Sequence, residues 1–166
     1  MKTQLRAPEP SDLDFLYRLE NDPDVRRVSW GECPMSRQLL WDYLSNYTPE
    51  ISRDRQLRLV IENVDGERIG AIDWSDYDPV NRRAMIGIGI DKRYRGQGYG
   101  VEAMEQAVQF SRESLALHQL AAIVAKSNEG SVALFKQVGF GVSGCLRSWV
   151  RQGTGYDDAL VMQLIL

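Results

Sequence analysis

At 166 residues the chain has the length of one domain with enough interior to bury a real core. Its 43% hydrophobic and 26% charged residues are ordinary for a soluble globular protein, and a net charge of −3 argues against the basic footprint of a nucleic-acid binder. A single histidine excludes a multi-histidine metal centre, and two cysteines, Cys33 and Cys145, make neither a CxxC motif nor a disulfide framework.

The first element expected is a short strand in TQLRAP. Ser11 with Asp14 three residues on gives a capping signal for a helix that carries Leu13, Leu16 and Glu20 on one side and Phe15 and Leu19 beside them. That helix should stop at Asn21-Asp22-Pro23, because the residue before proline leaves the helical region. A second helix starts near Ser36, with Leu39, Leu40, Tyr43, Leu44 and Tyr47 at helical spacing, and closes at Pro49. Between the two lies the irregular segment VSWGECP, 28–34, with Trp30 and Glu32. Residues 57–63 and 67–74 flank Asp65-Gly66 as a hairpin. A third strand over 81–91 is interrupted by glycines, which predicts a bulge or a close backbone approach.

RYRGQGYG, 93–100, then joins that strand to a helix over 101–115, with Val101, Met104, Ala107, Val108 and Leu115 facing inward. A buried strand covers 119–126. Asn128 caps a short helix that ends at Gly139, and the tail from Cys145 reads as a last hairpin turning near RQGTG. The expected architecture is one mixed α/β domain over 1–166, in which hairpins supply antiparallel pairs and the strand–helix–strand crossover a parallel one. No apolar run is long enough to span a bilayer, and polar PEPSDLD follows the first basic residues where a secretion signal would be apolar. A cytoplasmic protein with no membrane or nucleic-acid partner is expected.

Three glycines at a strand-to-helix joint carry a large conformational entropy cost, so something must need the backbone there. Backbone N–H groups gathered at the positive end of a helix suit a phosphate or pyrophosphate, and Arg93 and Arg95 add charge-assisted donors. A tight turn with solvated arginines is the competing reading. A Walker loop is excluded, since no lysine follows the glycines. The segment Gly98–Ala103 fits G-x-G-x-x-A, yet the next strand ends in Ala125-Lys126-Ser127 with no acid for a ribose, and the loop follows an antiparallel meander.

Arg95-Gly96-Gln97-Gly98-Tyr99-Gly100 matches the pattern [QR]-x-x-G-x-[GA]. The preceding MIGIGID, the following helix, QLAAIVAK and NEGSVALFKQVGF keep the order and spacing of one family core. With these motifs the chain resembles the GNAT-family N-acetyltransferases over nearly its whole length. LRAPEPSDLDFLYRLENDPDV, WGECP and GYDDALVMQLIL are most similar to the branch of spermidine and ribosomal-protein N-acetyltransferases. The resemblance implies a mostly antiparallel central sheet flanked by helices, with two central parallel strands splayed apart. It implies acetyl-CoA as co-substrate, with no metal. Its pyrophosphate would lie on the backbone of Arg95 to Gly100, with Arg93, Gln97 and Tyr99 around it, and its pantetheine arm beside Ile88 and Ile90. Asn128 matches the family asparagine near that arm, although by residue type it serves equally as a helix cap. A homo-oligomer is expected by the same analogy.

Acetyl transfer needs a deprotonated amine, donors for the developing oxyanion and an outlet for the thiolate. A strand N–H near Ile88 and Ile90 would serve the oxyanion. The branch carries a tyrosine as proton donor where this chain has Phe135, and a phenyl ring has no proton to give. Tyr156 in the last hairpin is the candidate substitute. Glu32 and Asp73 match acidic positions of the polyamine branch, while a third such position is Met85 here. The acceptor expected is a primary amine, a polyamine such as spermidine foremost. The alternatives are a protein N-terminus of the ribosomal type, or a module that binds acetyl-CoA without turning it over.

Overall fold

The structure, a computed structural model, describes residues 2–29 and 33–166. Seven strands form one sheet in the order β1-β2-β3-β4-β5-β7-β6. In chain order these are β1 (Thr3–Arg6), β2 (Leu57–Asn63), β3 (Arg68–Asp78), β4 (Arg83–Ile90), β5 (Gln119–Ala125), β6 (Gly141–Gln152) and β7 (Gly155–Ile165). All pairings are antiparallel except β4 with β5. The helices are α1 (Leu13–Asn21), α2 (Pro23–Ser29), α3 (Arg37–Ser45), α4 (Ile51–Asp54), α5 (Tyr99–Glu113) and α6 (Glu129–Gln137).

The sheet separates two apolar layers. On one face Phe15, Leu16 and Leu19 of α1 and Leu40 and Leu44 of α3 pack on Val60 and Ala71. On the other, Ala103, Met104 and Ala107 of α5 and Phe135 of α6 pack on Ile61, Ile72, Trp74 and Ile86. Each of the larger side chains fully buried here contributes about 1.5–3 kcal/mol relative to exposure. The two faces follow from strand alternation, and this division sets which helices can reach the reaction centre.

Several local expectations are corrected. Ser11 does not cap α1. A short 3-10 turn (Pro10–Asp12) precedes the helix, and the Asp12 carboxylate accepts from the Glu9 N–H at 2.8 Å. Asp12 is fully buried because Arg6 and Arg68 both bind it. Pro23 stops α1 but at once opens α2 as a first-turn residue, with Asp22 accepting from Asp24 N–H at 2.8 Å. Ser36 does cap α3, accepting from Leu39 N–H. That helix ends at Ser45, and the separate turn of helix α4 follows Pro49.

The glycine-rich strand keeps an unbroken register with β3 from Ile90 to Met85, and the irregularity lies between Ser75 and Asp78. The close approach is at Gly70 of β3, where a Cβ would stand 2.4 Å from the Gly89 carbonyl oxygen. Of the residues expected inward on the next helix, Met104 and Ala107 are buried, joined by Ala103 and Ser111. Val101, Val108 and Leu115 are only half-buried.

Candidate active site

β4 and β5 touch only at one end. Their pairing covers Arg83–Gln119, Ala84–Leu120 and Met85–Ala121, and beyond Met85 the strands diverge. A cleft of about 990 Å³ opens in the gap, lined by β4 from Ile86 to Ile90 and by β5 from Ala122 to Ala125. That size sits at the upper end for small-molecule sites, as a long co-substrate requires.

Register fixes what the gap offers. Asp91 N–H donates to Ile69 O across β3, so alternate residues of β4 face β3. The main-chain groups of Ile88 and Ile90 therefore turn away from β3 and into the cleft, and the Ile90 carbonyl there accepts from Arg95 Nε at 2.8 Å. On β5, Leu166 N–H donates to His118 O and Lys126 N–H to Asp158 O, which by the same alternation turns the main chain of Ile123 inward. Two strands thus turn polar main-chain groups toward one gap, with the Ile90 carbonyl already taken by Arg95.

The glycine loop closes one end of this gap. Asp91 caps the turn Lys92–Tyr94 and holds Arg93 in an ion pair at 2.7 Å. Hydrogen bonding to that guanidinium, partly opposed by burial, lowers the Asp91 carboxyl pKa. Gly96 and Gly98 have φ of 73° and 85°, a region open to glycine at little cost, and Gly98 is the residue from which α5 starts. The first N–H groups of α5 have no partner within the helix, and Gly98, Gly100 and Val101 at that end line the cleft. At Gly100 a Cβ would lie 2.8 Å from Leu134 Cδ1, so α5 and α6 approach closely beside the loop.

Ile88, Ile90, Arg95, Gly96, Gly98, Gly100, Asn128 and Phe135 all line the cleft. Arg93, Gln97 and Tyr99 do not. Arg93 is spent on Asp91, Gln97 Nε2 donates to Arg93 O, and Tyr99 packs edge-on against Tyr94. Asn128 proves to be a cap as well as a lining residue, its Oδ1 accepting from Ser131 N–H at 3.2 Å. The turn before it is held by the closing hairpin, since Asp157 accepts from Ser127 N–H and Gln152 donates to Ser127 Oγ. Phe135 is buried and packs edge-on against Phe140 at 4.9 Å.

The opposite face supplies a different chemistry. Asp73 of β3 pairs with Gly87 of β4 and with Arg58 of β2. Space above Gly87 is open, so the strand glycine leaves room beside a carboxylate. Arg58 grips Asp73 through Nε at 2.6 Å and Nη2 at 3.0 Å, and its Nη1 reaches Glu20 of α1 at 2.7 Å. Burial opposes the Arg58 charge, yet Asp73 and Glu20 outweigh it and hold the guanidinium fully ionised. A second hollow of about 380 Å³ shares Arg58 and Asp73 and adds Met35, Leu39, Tyr43 and Trp74. Burial also pushes the Tyr43 hydroxyl pKa up. Sequence reading singled out neither Arg58 nor Tyr43 for the site. Their partners are remote in sequence, and no local pattern marks them.

Tyr156 is a correction. Its side chain is 66% exposed opposite Arg151 near the hairpin turn, and it lines neither hollow. β7 pairs with β5 only from Ala159 onward, so Tyr156 lies on the part of the hairpin that runs past β5, whereas Gln152 of the same hairpin lines the cleft. Met85 sits at the closed end of the splay and lines neither hollow. Glu32 and Trp30 lie outside the described residues. Among the described residues no cluster of histidine, cysteine and carboxylate side chains could hold a metal, and no helix is long and apolar enough to cross a membrane.

A family model, the acetyltransferase (GNAT) domain, matches residues 2–141. The chain belongs to the GNAT acetyltransferases. It is 31% identical to the spermidine N(1)-acetyltransferase of Escherichia coli (strain K12), over 85% of this chain and 74% of that one. It is also 31% identical to a putative ribosomal N-acetyltransferase of Bacillus subtilis (strain 168), over 97% and 90%. Among solved structures, spermidine N-acetyltransferase from Vibrio cholerae in complex with CoA and spermine superposes with a TM-score of 0.90 at 25% identity, covering 99% of this chain and 95% of that one. This GNAT protein is therefore an N-acetyltransferase, which sets aside a non-catalytic module. The splayed parallel strands and the glycine loop are where the family resemblance implies them.

Proposed function

We propose that the enzyme transfers the acetyl group of acetyl-CoA directly to a primary amine of a polyamine such as spermidine, within one ternary complex on a domain spanning 1–166. The observation that carries this reading is a single cleft. It runs from the glycine loop, between β4 and β5, to the carboxylates Glu20 and Asp73 on the opposite face of the sheet.

The residues fit the co-substrate. Arg95 and the N–H groups of the loop from Gly96 to Gly100 would hold the pyrophosphate. The inward main chain of Ile88, Ile90 and Ile123 would pair with the amides of the pantetheine arm, beside Asn128. Acetyl-CoA supplies the activated thioester. An Ile88 or Ile90 N–H would donate to the carbonyl oxygen as negative charge builds on it. Glu20 and Asp73 would hold the cationic amine, and the open space at Gly87 would admit it. An alkylammonium of pKa roughly 10 must lose a proton before attack, and Asp73 stands ready to accept one through water. Phe135 gives no proton to the departing sulfur. A thiol pKa of about 8.5 lets that sulfur leave as the anion, with proximity supplying much of the rate.

The relatives named above support an amine acceptor. A dodecameric structure of the Vibrio cholerae enzyme supports self-association. The test is thiol release from acetyl-CoA with purified protein against spermidine, spermine, monoamines and a peptide N-terminus. Turnover with the peptide alone would overturn the polyamine reading in favour of a protein acceptor.

A further inference from the structure

The acceptor wall contains a cation of its own. Glu20 and Asp73, on α1 and β3, both face the cleft, and Arg58 of β2 lies between them. All three of its guanidinium nitrogens are committed, Nε and Nη2 to Asp73 and Nη1 to Glu20. Its side chain is 19% exposed and Glu20 16%, while Asp73 is 41% exposed and remains open to a ligand. Two carboxylates less one guanidinium leave this wall with a net charge of −1. The backbone secures the arrangement, because Tyr47 Oη donates to Arg58 O at 2.7 Å and Arg58 pairs with Asp73 in the sheet register.

We infer that Arg58 is a specificity-determining residue, an internal counter-cation that tempers how strongly this wall holds the charges of a polyamine beyond the one ammonium presented for transfer. This rests on the amine-acetyltransferase reading above. A single ammonium finds the exposed edge of Asp73 and a net attractive wall. Each further positive charge on the same acceptor approaches a fixed guanidinium, and Asp24, the other carboxylate lining the cleft among the described residues, is itself paired with Arg27. The apolar hollow beyond Asp73, with Met35, Leu39, Tyr43 and Trp74, suits the uncharged carbon stem of such an amine. A bidentate guanidinium between two carboxylates cannot neutralise itself by losing a proton as a lysine could, so its discrimination persists over the working pH range.

The experiment is steady-state kinetics with n-butylamine, putrescine, spermidine and spermine, using the wild type, Arg58→Gln, Glu20→Gln and the double variant Arg58→Met/Glu20→Met. In Arg58→Gln the wall gains one negative charge, and KM for spermine should fall by about tenfold relative to KM for n-butylamine. In Glu20→Gln the wall becomes neutral, and the same ratio should rise by about tenfold. The double variant restores a net charge of −1 and should return the wild-type ratio. KM for acetyl-CoA should change little in all of them, since none of these side chains belongs to the glycine loop. If Arg58→Gln does not fold, Glu20→Gln and the double variant still decide the matter. A KM ratio that stays constant across the series overturns the role of Arg58 while leaving the acetyltransferase reading intact. Absence of thiol release with every amine in the wild type overturns the acceptor reading itself.

Discussion

Gly70 of β3 faces the carbonyl of Gly89 on β4 so closely that a methyl group would stand 2.4 Å from its oxygen and 2.8 Å from Ile90 Cδ1. The β4 wall of the cleft is therefore seated against a position that tolerates no side chain. Gly70→Ala must push β4 toward the gap or separate it from β3. Overpacking of this kind costs about 1–3 kcal/mol, and here it also moves the Ile88 and Ile90 main chain. Urea melts and CoA titration should both register the change, with CoA affinity falling. Wild-type affinity in a destabilised Gly70→Ala protein would show that the strain is relieved elsewhere.

Gly87 is the contrasting case. A Cβ there meets nothing within 4 Å, so Gly87→Val should fold with a stability change of under about 1 kcal/mol. The added branches fill the space beside Asp73, and KM for the amine should rise by about tenfold or more, the size expected for crowding a hydrophobic contact by a methylene or two. KM for acetyl-CoA should hold steady. An equal rise in both constants would place the crowding on the co-substrate.

At the loop, Gly98 starts α5 from φ 85°. A branched residue costs about 1–2 kcal/mol in that region and tilts the first N–H groups of the helix away from an anion. Gly98→Val should raise KM for acetyl-CoA by about tenfold while the amine KM moves less. Calorimetric titration of CoA gives an independent measure, and unaltered binding would remove the loop from the site.

The buried Asp12 carboxylate, held by Arg6 and Arg68, predicts acid sensitivity. Burial alone would raise the Asp12 pKa, but bonds from Arg6, Glu9 N–H and Arg68 prevail and lower it from 3.8 to about 2. A depressed folded-state pKa means that this stabilisation is complete above pH 3.8 and is lost as the pH falls toward about 2. Asp12→Asn takes the anion from Arg68 and leaves Arg6 with Glu62 alone, and should cost about 1.5–3 kcal/mol at neutral pH. Its stability should also depend less on pH across that acid window. Identical acid limbs for the two proteins would contradict the assignment.

Phe135 lines the cleft yet packs against Phe140. Phe135→Tyr places a hydroxyl at the edge of that ring, and we expect kcat to rise by a few-fold as a proton donor becomes available to the leaving sulfur. If the hydroxyl is instead buried without a partner, stability falls by about 1–3 kcal/mol and kcat is unchanged. Thermal melts read beside kcat separate the two outcomes.

Local chemistry made much of this protein legible. Periodicity and turn residues located β2, β4 and β5 near their true bounds, while β3 runs on to Asp78 and β6 starts at Gly141, ahead of the hairpin expected from Cys145. RYRGQGYG announced a glycine turn into a helix start because glycine dihedrals and helix N-termini act within a few residues of one another. Gly139 ended its helix at φ 101° for the same local reason. Ser11 misled, since a capping pattern says nothing of the burial that makes Asp12 the better partner for Arg6 and Arg68.

By itself, then, the sequence determined the strands, the longer helices, the glycine loop and the family to which they belong, all of them set by neighbours along the chain. Tertiary structure alone decided where β4 leaves β5, because pairing stops at a point no single strand encodes. It turned Tyr156 outward, and it set Arg58 between Glu20 and Asp73, residues brought together from three separate elements. Charge pairs of that kind depend on distance in space, and the order of residues along the chain carries no record of it.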